Sequence, residues 1–132
     1  MIGKKRSIQR ETLLNILRGT NTHPTADWLY QEARKVLPNI SLGTVYRNLA
    51  MMSECGHILK LDFGTDSDHF DGDISPHYHF FCKQCGKIID LLLPYDSRIN
   101  DLAEQDDCGT ILGHSLHFQG ICQDCLTKTK DK

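Results

Sequence analysis

Apolar residues in the first part of the chain recur at helical spacing and predict three helices. The apolar positions of these helices are Ile8, Leu13, Leu14, Ile16 and Leu17, then Trp28, Leu29, Ala33 and Val36, then Val45, Leu49 and Met52. Hydroxyl residues that favour helix N-caps stand at Ser7, Thr25 and Ser41. The predicted helices end at Gly19, Pro38 and Gly56. Short helices joined by short turns are typical of a helix-turn-helix domain.

After residue 56 the apolar pattern takes the shorter period of β-strands. Ile58, Leu59, Leu61 and Phe63 precede a turn-rich stretch, residues 64–67, and a second short strand at residues 69–71. This pattern predicts a β-hairpin, the wing of a winged helix. Further strands are predicted over residues 77–81, 87–93 and 113–119, with one helix through Ile99, Leu102 and Ala103. The tail after Leu126 is expected to be disordered.

The third predicted helix carries polar residues off its apolar stripe. In a helix-turn-helix, the N-terminal residues of the second helix reach the bases of the major groove. The residues in that position are Thr44, Tyr46, Arg47 and Asn48. Candidates for phosphate contacts at the start of the first helix are Lys4, Lys5, Arg6 and Arg10. The alternative is a small helical bundle in which Tyr46 packs on the first helix and Arg47 is simply exposed.

The charge is distributed unevenly along the chain. Residues 1–60 contain nine Lys and Arg against four Asp and Glu, and residues 61–132 contain six against thirteen. A basic front half and an acidic back half rich in His and Cys favour a polyanion-binding module joined to a cation-binding one. The N-terminus lacks the apolar segment of a signal peptide. We therefore expect a cytoplasmic protein whose cysteines are thiols or metal ligands.

Two CxxC motifs, Cys82–Cys85 and Cys122–Cys125, predict a structural zinc site made of four thiolates. The 36 residues between the motifs mean that the zinc would join distant parts of a small domain. A dithiol redox pair is the alternative, but neither motif stands at a helix N-terminus after a strand. Cys55 and Cys108 belong to no motif, and we expect them to be buried small apolar residues.

A second metal site is predicted next to the first CxxC. His77 and His79 are two residues apart, so both imidazoles of an extended strand would point to one face. Asp71 and Asp90 flank them with the oxygen donors that suit a harder, exchangeable ion such as iron or manganese. His23 would have to come from the helical region, where such a residue is ordinarily a surface or capping group. Alternative ligands, or simple strand residues, are His69, His114 and His117.

Three segments together resemble the ferric uptake regulator (Fur) family of metal-dependent repressors. They are HPTADWLYQEARKVLPNISLGTVYRNLAMMSECG, HYHFFCKQCGKIIDL and HSLHFQGICQDC, and the likeness extends over roughly residues 7–126. The resemblance implies an α+β protein with a winged-helix DNA-binding domain at residues 1–68. A hinge carrying a metal ligand would occupy residues 69–76, and a small α/β dimerisation and metal-binding domain residues 77–132.

The resemblance also implies the ligands, partners and cofactors of a repressor that is not an enzyme. Structural Zn²⁺ falls on Cys82, Cys85, Cys122 and Cys125, and regulatory Fe²⁺ or Mn²⁺ falls on His23, Asp71, His77, His79 and Asp90. The implied partners are a second copy of the chain and a pseudo-palindromic operator in double-stranded DNA. Regulatory metal would favour the DNA-competent state.

Within the family, the chain is most similar to the peroxide-responsive branch. Asp90 stands where iron-responsive relatives typically carry Glu, and Tyr78 stands where a further regulatory site of relatives has a carboxylate, although His114 remains. The branch implies that Fe(II) reduces hydrogen peroxide and that the resulting oxidant adds oxygen to His23 or His77, which releases the metal and the DNA. The nearest alternative is an iron-responsive repressor of iron uptake genes.

Two further classes of protein are compatible with parts of the pattern. Two histidines and a carboxylate also form the facial triad of non-haem iron enzymes. The chain lacks the strands of a jelly-roll barrel, and five candidate ligands leave little room for a substrate. A metal store or chaperone would not need a helix-turn-helix, so specific operator binding separates it from a repressor.

Overall fold

The computed structural model describes the backbone of residues 2–64 and 67–130, and the side chains of residues 8–64 and 67–128. The predicted phosphate contacts of Lys4, Lys5 and Arg6 therefore lie outside the described side chains. The chain divides into two compact units, residues 1–74 and 75–132. The fold is α+β, with three helices and a hairpin in the first unit and a small sheet and two helices in the second.

The first unit begins with three helices, α1 (Ile2–Arg18), α2 (Ala26–Arg34) and α3 (Leu42–Glu54). Thr25 and Ser41 cap α2 and α3 as predicted, because the hydroxyl of each accepts a hydrogen bond from the backbone N–H three residues later. The prediction that Ser7 caps α1 is wrong, since that helix begins at Ile2. Lys4, Lys5 and Arg6 are good helix formers, so nothing in the sequence stops the helix at Ser7.

The three helices pack around an aliphatic core that extends to the hairpin. The fully buried side chains of this core include Leu13, Leu29, Val45 and Leu49. Strands β1 (Leu59–Leu61) and β2 (His69–Asp71) form the predicted wing as an antiparallel pair in which Leu59 lies opposite Asp71. Phe70 of β2 is buried in the helical core, so packing anchors the wing to the helices.

The second unit contains a three-stranded sheet of order β4-β3-β5. Its strands are β3 (His79–Cys82), β4 (Ile88–Asp90) and β5 (His117–Gly120), and its helices are α4 (Arg98–Glu104) and α5 (Gln123–Lys130). Strand β3 pairs antiparallel with β4 and parallel with β5. Cys82, Cys122 and Cys125 form the buried centre of this unit, with Phe80 and Ile89 packed against them.

Two expectations about the second half of the sequence are wrong. The tail after Leu126 is helical as far as Lys130, because α5 starts next to the second CxxC and buries Cys125 in its first turn. Cys55 and Cys108 are exposed rather than buried. Cys55 is the C-cap of α3, and Cys108 follows Asp107, whose left-handed backbone (φ 56°) turns the chain after α4.

Candidate metal centres

The first CxxC forms a tight turn between β3 and β4. Cys82 ends β3, and its carbonyl accepts a hydrogen bond from the N–H of Gly86 at 2.9 Å. Gly86 has φ of 79°, a left-handed conformation that favours glycine, and it lets the chain reverse directly after Cys85. Contrary to the expectation from the sequence, the second CxxC follows a strand, β5, and stands at the start of a helix, α5, where Leu126 N–H donates to the Cys122 carbonyl at 3.0 Å. A turn and a helix start therefore present two thiols each.

The four thiols form a cluster whose size fits a tetrahedral zinc ion. Cys82 Sγ lies 3.8 Å from Cys125 Sγ, and Cys85 Sγ lies 3.7 Å from Cys122 Sγ. All four sulfur atoms lie within 4.8 Å of one another. A Zn–S bond of about 2.3 Å places sulfur atoms about 3.8 Å apart at the corners of a tetrahedron. The second unit therefore has a four-cysteine site of the zinc type.

The electrostatics of this cluster favour a bound cation. The backbone N–H of Cys85 donates to Cys82 Sγ and lowers the pKa of that thiol to about 6, although burial opposes the shift, and the N–H of Cys122 acts in the same direction. Burial and the neighbouring thiols raise the pKa of Cys125 to about 12. Backbone hydrogen bonds thus favour a thiolate at Cys82 while burial disfavours one at Cys125, and a divalent ion would compensate the negative charge of the thiolates that bind it.

Two imidazoles of the second unit converge on one carboxylate oxygen. Asp90 Oδ1 lies 3.2 Å from His77 Nε2 and 3.3 Å from His79 Nε2. His79 and Asp90 are opposite each other in the β3–β4 pair, which places both side chains on one face of the sheet. Adjacent ligands of an octahedral ion with bonds of about 2.1 Å are about 3 Å apart. These three side chains therefore fit one hard or borderline metal ion.

The orientation of His77 is set by the backbone, a contact that the sequence does not signal. His77 Nδ1 lies 2.6 Å from the carbonyl oxygen of Ser75, so Nδ1–H donates and Nε2 faces Asp90 with its lone pair. Metal-binding histidines commonly have such a bond on the other ring nitrogen, which fixes the tautomer. A backbone carbonyl acceptor has no residue signature, so only the structure identifies it.

The first unit brings His23 and Asp71 together. His23 Nε2 lies 3.3 Å from Asp71 Oδ2, and both side chains are buried. His23 has a left-handed backbone (φ 55°) before Pro24, whose carbonyl accepts a hydrogen bond from Phe70 N–H at 2.9 Å. The segment before α2 is thus bound to the edge of the wing. This contact holds His23 beside Asp71, although 47 residues separate them.

The structure gives each alternative histidine ligand a different environment. His69 is on β2, where burial and then the charge of His23 lower its pKa, while Asp68 opposes the shift. His114 Nε2 lies 2.7 Å from the Tyr78 hydroxyl and its Nδ1 lies 2.6 Å from Asn100 Oδ1. His117 is on β5 opposite His79. Of these three, His114 has both ring nitrogens in hydrogen bonds to other side chains.

The predicted base-contacting residues lie in the first half of α3. Tyr46 is half exposed and Arg47 is exposed. Thr44 Oγ1 accepts a hydrogen bond from Arg47 Nη2 at 3.1 Å, while the Asn48 amide donates to the Thr44 carbonyl at 2.8 Å. Arg10 is half-buried on α1.

Comparisons with known proteins agree with this architecture. A family model for the ferric uptake regulator family matches residues 1–119. The peroxide-responsive repressor PerR of Staphylococcus saprophyticus is 38% identical over 120 residues, which are 91% of this chain and 81% of the relative. PerR of Staphylococcus aureus is similar to the same extent.

Solved structures share the fold. The peroxide stress regulator of Campylobacter jejuni has a TM-score of 0.77 at 29% identity, covering 92% of this chain and 91% of that protein. The ferric uptake regulator of Helicobacter pylori has a TM-score of 0.76 at 22% identity, covering 89% and 79%. The fold and the four-cysteine site define a winged-helix, metal-binding regulator. The chain belongs to the ferric uptake regulator family.

Within the described residues, no helix combines the length and the apolar character needed to cross a bilayer.

Proposed function

We propose that this protein is a homodimeric, metal-dependent transcriptional repressor that releases its operator when hydrogen peroxide oxidises a ligand histidine. The observation that carries the proposal is the Asp90 carboxylate, one oxygen of which lies within 3.3 Å of two imidazoles in a chain that belongs to a family of metal-responsive regulators. The similarity to PerR proteins at 38% identity supports peroxide as the signal.

The proposed regulatory ligands come from both units of the chain. His23 and Asp71 form one donor pair, and His77, His79 and Asp90 form a second group. Neither group alone supplies the five ligands that the family resemblance implies. We propose that one Fe²⁺ or Mn²⁺ ion takes ligands from both groups and ties the units together. Such an ion binds the DNA-competent state better than other states and therefore shifts the population toward it.

The four-cysteine site has a different role in this proposal. Its thiolates would hold Zn²⁺ permanently, because a closed tetrahedral thiolate site leaves no position for exchange or for substrate. A cytoplasmic location, with a reducing environment, would keep these thiols available for the metal. The zinc would therefore maintain the fold of the second unit, and the nitrogen and oxygen donors would sense the signal.

DNA binding is assigned to α3 and the basic residues around it. Tyr46 and Arg47 are exposed near the start of this helix, from where side chains of a recognition helix reach base edges. Thr44 and Asn48 would support them, and Lys4, Lys5, Arg6 and Arg10 would contact phosphates. A dimer would present two such helices to the halves of a pseudo-palindromic operator. Exposed apolar side chains of the second unit, including Leu102, Phe118 and Ile121, provide surface for that dimer.

Peroxide sensing requires a reducing metal beside an oxidisable ligand. Fe²⁺ would supply the electron that reduces hydrogen peroxide, whereas Mn²⁺ in the same ligands would not. His77 and His23 are the imidazoles that we propose gain an oxygen atom: overall, one peroxide oxygen converts a ring C–H to C–OH, and the other leaves as water. An oxidised imidazole is a poorer ligand, so the affinity for the ion falls and the DNA-competent state loses its stabilisation.

The first experiment measures operator binding before and after oxidation. Zinc-loaded protein selects its operator from a randomised duplex library in Mn²⁺, and fluorescence anisotropy then measures affinity with Fe²⁺ or Mn²⁺ before and after a low dose of hydrogen peroxide. We expect loss of binding in the iron form only, with one oxygen added at His23 or His77 by peptide mass spectrometry. If the iron form keeps binding the operator and its histidines stay unmodified, the peroxide hypothesis is contradicted and the iron-responsive repressor is favoured.

The Asp90→Glu variant separates the two repressor hypotheses further. A longer carboxylate changes the donor geometry at the iron, so we expect blunted peroxide sensitivity with Mn²⁺-dependent operator binding retained. A variant as sensitive as the wild type would contradict the role of Asp90. Turnover of an organic co-substrate would instead favour a non-haem iron enzyme, and metal binding without any operator would favour a metal store.

A further inference from the structure

The side chain of Tyr78 is buried between two candidate ligands in sequence. It is 1% exposed, the least exposed aromatic side chain among the described residues. Its neighbours His77 and His79 both point to Asp90. Alternate residues of an extended chain point to opposite faces, so the Tyr78 ring is on the other side of this segment from the two imidazoles. If the Tyr78 side chain is held in place on one face, the positions of the His77 and His79 side chains on the other face are fixed as well.

The Tyr78 hydroxyl has a complete set of hydrogen bonds. It accepts one from the backbone N–H of Asp96 at 3.0 Å and lies 2.7 Å from His114 Nε2. His114 Nδ1 lies 2.6 Å from Asn100 Oδ1, a carbonyl oxygen, so Nδ1 carries the proton and donates. Nε2 is then the acceptor, and the Tyr78 hydroxyl donates to it.

Tyr95 extends this group of hydrogen bonds on its far side. Its hydroxyl accepts from the His114 backbone N–H at 3.3 Å and from Asn100 Nδ2 at 3.4 Å. Its ring is stacked on the imidazole of His114, with centroids 4.4 Å apart. Four side chains from three parts of the second unit therefore form one network: Tyr78, Tyr95, Asn100 and His114.

The backbone of Tyr78 connects this network to the proposed metal ligands. Its carbonyl accepts from Leu91 N–H at 3.0 Å, directly after Asp90, and the N–H of His79 donates to the Leu116 carbonyl at 3.4 Å. A shift of the Tyr78 ring would therefore move the segments that carry His77, His79 and Asp90. We propose that Tyr78 is a positioning residue, whose buried hydroxyl network holds these three side chains in the arrangement that binds the regulatory ion.

This inference rests on the proposed function for the identity of the ion, and on the geometry for the role of Tyr78. His77 and His79 each place Nε2 within 3.3 Å of one Asp90 oxygen, and this arrangement is the one that the proposal says Tyr78 maintains. The ligand atoms of a well-formed metal site lie within about 0.2 Å of standard metal–ligand distances. Residues that orient ligands typically change metal affinity by about 10- to 100-fold when they are substituted.

The test compares Tyr78→Phe with Tyr95→Phe in the full, zinc-loaded protein. Each substitution keeps the ring and removes one hydroxyl, and each leaves two groups of the same network without their partner. Only Tyr78 adjoins the ligands. We expect Mn²⁺ affinity, measured by calorimetry, to fall at least about tenfold in Tyr78→Phe and less than about threefold in Tyr95→Phe. Zinc content should stay at one ion per chain in both variants.

A second readout is independent of the regulatory metal. Imidazole NMR resonances of His77 and His79, in zinc-loaded protein without Mn²⁺, should shift in Tyr78→Phe and stay near their wild-type positions in Tyr95→Phe. Equal Mn²⁺ affinities and equal spectra in the two variants would contradict the positioning role of Tyr78 but not the proposed function. A wild-type protein that binds Mn²⁺ without involving His77 or His79 would contradict the proposed function as well.

Discussion

The two units of this protein differ in the kind of side chains that form their buried cores. Among the side chains that the structure describes, the first unit buries twelve apolar ones, including Leu13, Leu29 and Leu49. The buried apolar set of the second unit, counted over its described side chains, has six members, and three of them are cysteines: Tyr78, Phe81, Cys82, Ile88, Cys122 and Cys125. Burial of aliphatic groups stabilises the first unit directly. A unit of about 60 residues with so small an apolar core needs another stabilising element.

This difference explains where each kind of metal donor is found. Three of the four clustered cysteines, Cys82, Cys122 and Cys125, occupy the centre of the second unit, where a bound zinc ion would replace part of an apolar core. The nitrogen and oxygen donors are held at the edges of packed elements, as His23 and Asp71 are between α2 and the wing. A structural zinc ion would therefore stabilise the second unit, while the exchangeable ion of the proposed function would use side-chain positions that packing has already fixed.

The largest expected effect is the loss of the second unit when its cysteine cluster is broken. Cys122→Ser removes one thiolate, and structural zinc sites contribute about 10–16 kcal/mol of apparent binding free energy in small zinc domains. We expect the variant to lose zinc, measured by plasma mass spectrometry, and β3, β4 and β5 to lose amide protection in hydrogen exchange. The helices α1–α3 should keep theirs.

Cys108→Ser is the matched control for this experiment. Cys108 is an exposed cysteine of the same unit outside the cluster, so its substitution should leave zinc content and hydrogen exchange unchanged. Simultaneous loss of protection in α1–α3 of Cys122→Ser would show that the first unit also depends on the zinc, and the comparison between the units would fail.

The reverse experiment removes part of the aliphatic core. Leu49 is fully buried in the first unit, and Leu49→Ala should lower the free energy of unfolding of that unit by about 2–5 kcal/mol because it leaves a cavity. Zinc content should not change. The exposed Val36 is the control, since Val36→Ala should alter stability by less than about 0.5 kcal/mol. Urea denaturation followed by Trp28 fluorescence measures both. Zinc loss in Leu49→Ala would contradict independent stabilisation.

Local signals in the sequence predicted the parts of the fold that short segments determine. A CxxC motif constrains its own turn, so the cluster of Cys82, Cys85, Cys122 and Cys125 was predictable from spacing. The N-caps Thr25 and Ser41 also act over three residues, and both predictions are confirmed. Ser7 failed as a cap because a favourable cap does not prevent a helix from starting earlier.

Long-range contacts were outside the reach of that reasoning. The approach of His23 to Asp71 depends on a left-handed residue and on a bond from Phe70 to Pro24, neither of which has a sequence pattern. Tyr78 and His114 were interpreted by analogy with metal ligands, whereas their hydrogen bond depends on a strand and a loop that lie 36 residues apart. Tertiary packing supplied these features.

A substitution at Gly72 tests whether packing within the first unit, rather than a bound metal, positions Asp71. A Cβ at residue 72 would lie 3.2 Å from the backbone N and the Cγ of Arg18, at the end of α1. Gly72→Ala therefore forces the end of α1 and the end of β2 apart by a few tenths of an ångström, and we expect Asp71 to move with β2. We expect Mn²⁺ affinity to fall about tenfold, with zinc content unchanged.

Gly43→Ala is the control for this glycine. Its Cβ would make an ordinary contact, 3.4 Å from Arg47 Nη1, on the exposed face of α3. Calorimetry should show wild-type Mn²⁺ affinity for Gly43→Ala. Wild-type affinity in Gly72→Ala as well would mean that Asp71 is not fixed by this packing, or is no ligand of the ion.

The smallest expected effect concerns a surface contact of the first unit, on which neither core nor zinc depends. Thr44 Oγ1 accepts hydrogen bonds from Arg47 Nη2 at 3.1 Å and from the Ser41 hydroxyl at 2.9 Å, and so holds an exposed guanidinium in one orientation. Thr44→Val keeps the shape and removes the acceptor. Arg47 then regains rotamers that operator binding must restrict again, so we expect affinity to fall about threefold. The dependence on salt should not change because no charge is lost.

Thr44→Ser keeps the hydroxyl and is the matched control, so its operator affinity in the anisotropy assay should remain close to that of the wild type. Zinc content and the free energy of unfolding should be equal in both variants, because Ser41 still caps α3 through the Thr44 N–H, at 3.1 Å, whichever side chain residue 44 carries. Equal operator affinity for Thr44→Val and Thr44→Ser would show that the hydrogen bond from Arg47 to the residue 44 hydroxyl does not contribute to operator binding. A steeper loss that also changes the salt dependence would place residue 44 itself against the phosphates.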